Sequence, residues 1–220
     1  AQQEISTAYA TQATNMFAPL DKNRIPHKVL LDYGFEYTNL KAYNGTLSDS
    51  TVVDVPTLKH IYNTIFSSRV TSATTGFINP NNFDSNWKNR TAGTITVSGL
   101  YYKYNAFIND AINLGKVNFV NNQFQDKFVS GVWQNPYQEF QAFAMAPAIS
   151  KYEGLSFTVK IPSTIFYSNY QSLVQSNQID FGNGAGYVTV PFNQNVTISY
   201  ATEGVKTWKY KLNLTNGTSL

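Results

Sequence analysis

Apolar side chains between residues 55 and 69 fall at Leu58, Ile61, Tyr62, Ile65 and Phe66. That i, i+3, i+4, i+7, i+8 spacing lines one face of a helix, so the pattern predicts a helix over about 55–69 with one buried stripe. Asp54 stands where an N-cap carboxylate accepts from the first free N–H groups, and Pro56 falls in the first turn, where its missing N–H costs little. Arg69 ends the run with a charge that suits a helix C-terminus. After Asn135-Pro136 the period changes to two. In the last run Trp208, Tyr210, Leu212 and Leu214 share one face and Lys209, Lys211 and Asn213 the other, the alternation of a half-buried strand. Phe140–Ala146, Leu155–Ile161, Tyr187–Val190, Val196–Tyr200 and Thr207–Leu214 all read as strands.

Signals elsewhere are more local. Residues 5–18, rich in Ala and Thr with Ile5, Ala8, Tyr9, Met16 and Phe17, fit either a frayed helix or an extended arm. Ile25-Pro26-His27 ends any helix, because proline disfavours the α region at the residue before it. Val29–Tyr33 and Phe35–Tyr37 read as a strand and Asn44-Gly45 as a tight turn. Residues 71–94 read as a surface connection anchored by Phe77, Phe83 and Trp87. Strands are expected at Thr94–Val97, at Leu100–Phe107 and near 117–129, with a short helix at about 107–114. No 20–50-residue repeat is visible. The expected fold is mainly β with some α: a mixed α+β region over 1–145, then an antiparallel β-sandwich over 146–220.

Composition sharpens the class. Of 220 residues 42% are apolar, with Phe and Tyr at 15 each, enough for a sizeable core and against disorder. Charged residues reach only 13%, roughly half the usual share; neutral polar residues, including 24 Asn, fill the gap. The net charge of +3 is scattered without a basic run, which argues against a nucleic-acid partner. No stretch approaches the ~20 apolar residues of a membrane-spanning helix. The absence of Cys excludes disulfides, Cys-ligated zinc, iron–sulfur clusters and thiol chemistry, and suits an exported bacterial protein. Ala1-Gln2-Gln3-Glu4 reads as a mature N-terminus left by signal-peptide cleavage, with an extracellular or cell-surface destination. Asn44, Asn89, Asn195, Asn213 and Asn216 open Asn-X-Ser/Thr sequons, which matter only in a eukaryotic secretory path.

The stretch Ile179-Asp180-Phe181-Gly182-Asn183-Gly184, with Tyr200, Gly204 and a final run ending Leu212-Asn213-Leu214-Thr215-Asn216, resembles the second half of a PKD-type (polycystic kidney disease) domain, a small Ig-like β-sandwich. Asp180, Phe181, Gly182 and Gly184 match that family's pattern; Asn183 stands where a second Asp is usual. The residues agree with the likeness: Asp180 can accept from backbone N–H groups in an Asx turn, and the glycines permit positive φ. Tyr200 matches the corner tyrosine whose hydroxyl ties down a loop in such sandwiches. A calcium role for Asp180 and Asn183 is weak, since Ca²⁺ takes 6–8 oxygens and one carboxylate is supplied. Met16–Asp21, Leu30–Gly34 and Leu58–Asn63 resemble the N-terminal region of large exported surface proteins of Bacteroidota. That resemblance implies type IX secretion and an outer-membrane setting. Asp49-Ser50-Thr51 matches the short sites at which these bacteria attach O-glycans, with Ser50 as the acceptor.

Catalytic patterns are sparse. His27 and His60 are the two histidines, with Asp32 or Glu36 the nearest acids for a metal site. No Gly-X-Ser-X-Gly elbow occurs; Ser98-Gly99 and Ser130-Gly131 read as lone turn-like pairs. Asp110, Asp126, Glu139 and Glu153 are the acids available for glycoside hydrolysis, with no pair singled out. Trp87, Trp133, Tyr101, Tyr102, Tyr104 and Tyr137 could stack on sugars, although an aromatic core accounts for most of them. The expected function is a non-catalytic module of an exported surface protein, without cofactor or metal. It would dock, present or adhere through another surface or outer-membrane protein, with Trp87 and Trp133 as contacts. The alternative is an accessory or glycan-binding region of a secreted hydrolase whose catalytic module lies downstream.

Overall fold

The computed structural model describes residues 7–38, 41–87 and 91–220; Ala1–Glu4 and the Asn89 sequon lie outside them. The fold is mainly β, 35% strand against 19% helix, spread over several sheets. Its helices are α1 Thr7–Phe17, α2 Val55–Ser67 and α3 Phe83–Asn86. The first strands are β1 Thr94–Phe107, β2 Val117–Val120, β3 Gln123–Asp126, β4 Phe128–Val129, β5 Val132–Trp133 and β6 Tyr137–Pro147. Then come β7 Ser156–Lys160, β8 Phe166–Ser168, β9 Val174–Asp180, β10 Tyr187–Thr189, β11 Asn195–Ser199 and β12 Lys209–Leu214.

The described residues pack into two compact units that interleave along the chain. Residues up to Glu36, Thr64–Thr74 and Lys103–Phe140 make the first; Tyr37–Asn63, Thr75–Tyr102 and Gln141–Leu220 make the second. This differs from the sequential division at 145. The reason lies in β1, whose first nine residues supply an inner strand to a sheet that the C-terminal strands join.

In the second unit one sheet has the order β11-β7-β1-β6, with β8 also on β1. β11 is antiparallel to β7, but β1 runs parallel to both β7 and β8, so the sheet is mixed and not antiparallel throughout as expected. The other sheet, β10-β9-β12, is antiparallel. Ile95, Val97, Phe157, Val159 and Ile198 of the first sheet share a core with Ile179, Leu212 and Leu214 of the second. Burying each such side chain is worth roughly 1.5–3 kcal/mol. β12 keeps its period of two: Leu212 and Leu214 are buried, Tyr210 and Trp208 pack on the same core, and Lys209 is exposed. Ser98-Gly99, read as a turn-like pair, sits inside a continuous β1, and the buried Ser98 hydroxyl donates to the Ile165 carbonyl at 2.6 Å.

The α2 helix begins as its sequence predicts. The Thr57 N–H donates to the Asp54 carboxylate at 2.8 Å, and hydrogen bonding from Thr57 holds that carboxyl below its ordinary range. Leu58, Ile61, Tyr62 and Ile65 are buried, while Phe66 is half-buried. In the second unit Tyr62 meets the rings of Phe83 at 5.3 Å and Tyr167 at 5.4 Å. Its hydroxyl donates to the Ile78 carbonyl and accepts from the Ile78 N–H, both at 2.7 Å.

Two expectations for the first unit are corrected. Val29–Tyr33 is not a strand: Val29 bridges Arg69, Leu30 bridges Asn105, and Leu31–Tyr33 closes into a 3₁₀ turn. Lys28 at φ 55° breaks the extended run before it can lengthen. Residues 109–114 form turns and not the expected helix, because Asp110 takes the left-handed conformation at φ 57°. The 117–129 run folds into the β2–β3 hairpin, turned at Asn121-Asn122, followed by β4. Phe17, Leu20, Ile25, Leu30, Ala111, Val117 and Tyr137 form the core of this unit.

Candidate functional site

The Asp180 loop is built from local hydrogen bonds. The Gly182 N–H donates to Asp180 Oδ1 at 2.9 Å and the Ala185 N–H to Asn183 Oδ1 at 3.2 Å. Gly182 and Gly184 take φ of 69° and 89°, which leaves room for the turn. Asn183 Nδ2 donates to the Ser199 carbonyl at 3.3 Å. The Tyr200 hydroxyl donates to the Phe181 carbonyl at 2.7 Å and accepts from Trp208 Nε1 at 2.8 Å. Gly204 turns an exposed loop at φ 117°. These bonds hold the loop against the buried Phe181 ring, which is a structural task. Among the described residues no three His, Asp or Glu side chains gather as a metal site.

Several acids of the first unit are engaged by contacts that position neighbouring groups. His27 is buried with Nε2 2.8 Å from Glu139 Oε2, and Lys103 Nζ donates to Glu139 Oε1 at 2.6 Å. Partial burial opposes ionisation of Glu139, but the hydrogen bonds from Lys103 and His27 outweigh it and hold the carboxyl below its ordinary range. Asp32, one of the acids expected near His27, instead accepts from the Phe107 N–H at 2.8 Å. Burial pushes the Asp32 carboxyl up. Asp126 accepts from the Asp21 N–H at 2.8 Å and from Trp133 Nε1 at 3.0 Å. His60, Asp110 and Glu153 are exposed.

The aromatic candidates divide by burial. Trp87 is only 4% exposed, so the expected surface contact there is corrected: its ring packs 6.0 Å from Phe83. Tyr101, Tyr102 and Tyr137 are buried as well, and Tyr104 stacks on Phe140 at 5.6 Å. Trp133 is half-buried.

The exposed large apolar side chains of the first unit are concentrated in one stretch of the chain. Among the described residues 17 large apolar side chains are exposed, and seven of them fall between Ile112 and Val132. The β4–β5 hairpin is the sharpest case. Ser130 and Gly131 turn at φ 49° and 78°, both positive as a two-residue type I′ hairpin requires. Phe128 pairs with Trp133 and Val129 with Val132, so both faces of the hairpin are apolar. One face receives the Arg24 guanidinium, 5.2 Å from the Phe128 ring and 5.3 Å from Trp133. The other leaves Val129 51% and Val132 63% exposed. Beneath the hairpins a chain of ring contacts runs Phe119–Phe124–Phe107–Tyr137–Trp133, at 4.8, 4.9, 5.6 and 6.2 Å. It gives the exposed residues a stiff base.

The expectation drawn from tryptophan content missed Phe128, Val129 and Val132. A signal was present: two apolar residues on each side of Ser130-Gly131 leave neither hairpin face polar. No protein-family model, curated protein or solved structure matches the chain.

Proposed function

We propose that the chain is a non-catalytic docking module of an exported cell-surface protein, bound to another surface or outer-membrane protein through the β4–β5 hairpin. The observation that carries this reading is the Val129–Val132 face, an apolar cross-strand pair turned to solvent on a hairpin fixed from below. Concentrated apolar exposure marks interaction surfaces more often than chance scatter does. The likeness of the C-terminal third to PKD-type sandwiches, used mainly as spacers and binding modules, supports the same role by analogy. The resemblance of Met16–Asp21, Leu30–Gly34 and Leu58–Asn63 to exported Bacteroidota proteins is the ground for placing this module outside the cell. Two of the acids that could serve hydrolysis, Glu139 and Asp126, are occupied by positioning contacts.

Val129→Lys combined with Val132→Lys tests the reading. Both side chains are exposed, so stability should change by less than about 0.5 kcal/mol per site. A partner cross-linked to the native chain in outer-membrane fractions should be lost with the variant, as a stable contact needs about 1,200–2,000 Å² in total. Equal capture by the variant, or ester or glycoside turnover by the isolated chain, would overturn it.

An O-glycan on Ser50 belongs to the same proposal. Ser50 is exposed in a turn closed by the Thr51 N–H donating to the Ser48 carbonyl at 2.9 Å. Mass analysis of native protein should show hexose on the peptide containing Asp49-Ser50-Thr51; an unmodified peptide removes the idea.

A further inference from the structure

We infer that the first unit carries a binding site for an uncharged oligosaccharide, in the groove between α1 and the β2–β3 turn. The groove measures about 620 Å³ and is lined by Thr11, Gln12, Asn15, Met16, Asn121, Asn122 and Gln123. That volume lies within the roughly 300–1,000 Å³ of small-molecule sites. Five of these seven side chains are carboxamides, and no charged residue lines the groove among the described residues.

The chemistry of that lining selects the ligand. A carboxamide offers donors and an acceptor on one planar group, whereas a carboxylate only accepts and an ammonium only donates. Sugar hydroxyls likewise donate and accept, so each can pair with a carboxamide without a fixed polarity. An anionic or cationic ligand would find no counter-charge here to offset its lost hydration. The Met16 side chain adds an adaptable apolar surface for a sugar C–H face.

The groove is a surface depression whose two walls are joined to each other. Gln12 and Asn15 stand three residues apart, on one face of α1. Asn121 and Asn122 hold the turn positions of the hairpin at φ 52° and 59°. Gln123 Nε2 donates to the Asn15 carbonyl at 3.1 Å, and Phe17 stacks on Phe124 at 5.2 Å below, so the helix and the hairpin are tied at two levels. Within the described residues the carboxamides of Gln12, Asn15, Asn121 and Asn122 make no hydrogen bond to protein, which leaves them available to a ligand. This inference stands apart from the docking role of the β4–β5 hairpin.

The test is titration of the 220-residue chain with maltohexaose, cellohexaose, xylohexaose and chitohexaose, with hexagalacturonate as the charged control, followed by NMR and calorimetry. At least one neutral hexasaccharide should shift amide resonances of Gln12, Asn15 and 121–123 ahead of those elsewhere. Gln12→Ala with Asn122→Gly, a change the positive φ tolerates, should weaken that binding at least about tenfold, or about 1.4 kcal/mol. The inference is overturned if no neutral sugar binds up to roughly 10 mM, if only hexagalacturonate binds, or if the shifted resonances map elsewhere. Unchanged affinity in the double variant overturns it too. Shift mapping on the unsubstituted chain decides the matter even if the variant folds poorly.

Discussion

Leu58→Ala is expected to lower stability by about 2–5 kcal/mol. Leu58 is completely buried on α2, in the second unit, and truncation removes buried methyl groups and leaves a cavity that its neighbours fill only in part. The ring cluster around Tyr62, one turn further along, limits that collapse, because rigid aromatic rings do not reshape to fill the space of a lost isopropyl group. Domains of this size hold about 5–15 kcal/mol in total, so the loss should be plain in a urea or guanidinium titration. Tyr62→Phe separates packing from polarity at the same place. It keeps the ring and deletes the hydroxyl, leaving the Ile78 N–H and carbonyl without their 2.7 Å partner, at a cost of about 1–3 kcal/mol. A Leu58→Ala loss below about 1 kcal/mol would mean the stripe is not a core element.

Gly99→Val should also destabilise, by about 1–3 kcal/mol, although strand propensity alone argues for a gain. A Cβ at position 99 would stand 2.8 Å from Met145 Cγ and 2.9 Å from Phe166 Cδ2. Phe166 is the direct partner of Gly99 in the parallel β1–β8 pairing, so neither strand can step away without losing the register. A glycine that looks like a break in the sequence is therefore where β8 and Met145 leave no room for a β-carbon. Gly99→Ala should fall between the two. Thermal or chemical denaturation decides the sign: a stabilised Val variant would show that the strand has room to spare.

Features whose causes are local were legible in the chain itself. The α2 stripe and its Asp54 cap depend on neighbours three and four residues away, and the alternation of β12 needs only its own period. The Asp180 turn is closed by an N–H two residues on. The hairpin face of Val129 and Val132 was specified just as locally, by two apolar residues on either side of Ser130-Gly131, although the tryptophan-based expectation passed over it. Tertiary contacts decided the rest. His27 finds its carboxylate 112 residues away, in Glu139, and not among the acids beside it in sequence. Val29 and Leu30 have the composition of a strand, yet each finds a single bridge, to Arg69 and Asn105, and the run stops there. β1 passes through Gly99 because the pairing with β8 holds it extended, and it enters the sheet parallel to β7 because those strands lie some 60 residues further along. Local hydrogen bonds and periodicity act over a few residues and can be read from their order. Which distant side chain fills a given space is settled only when the whole chain competes for it, and no short window of sequence holds that information.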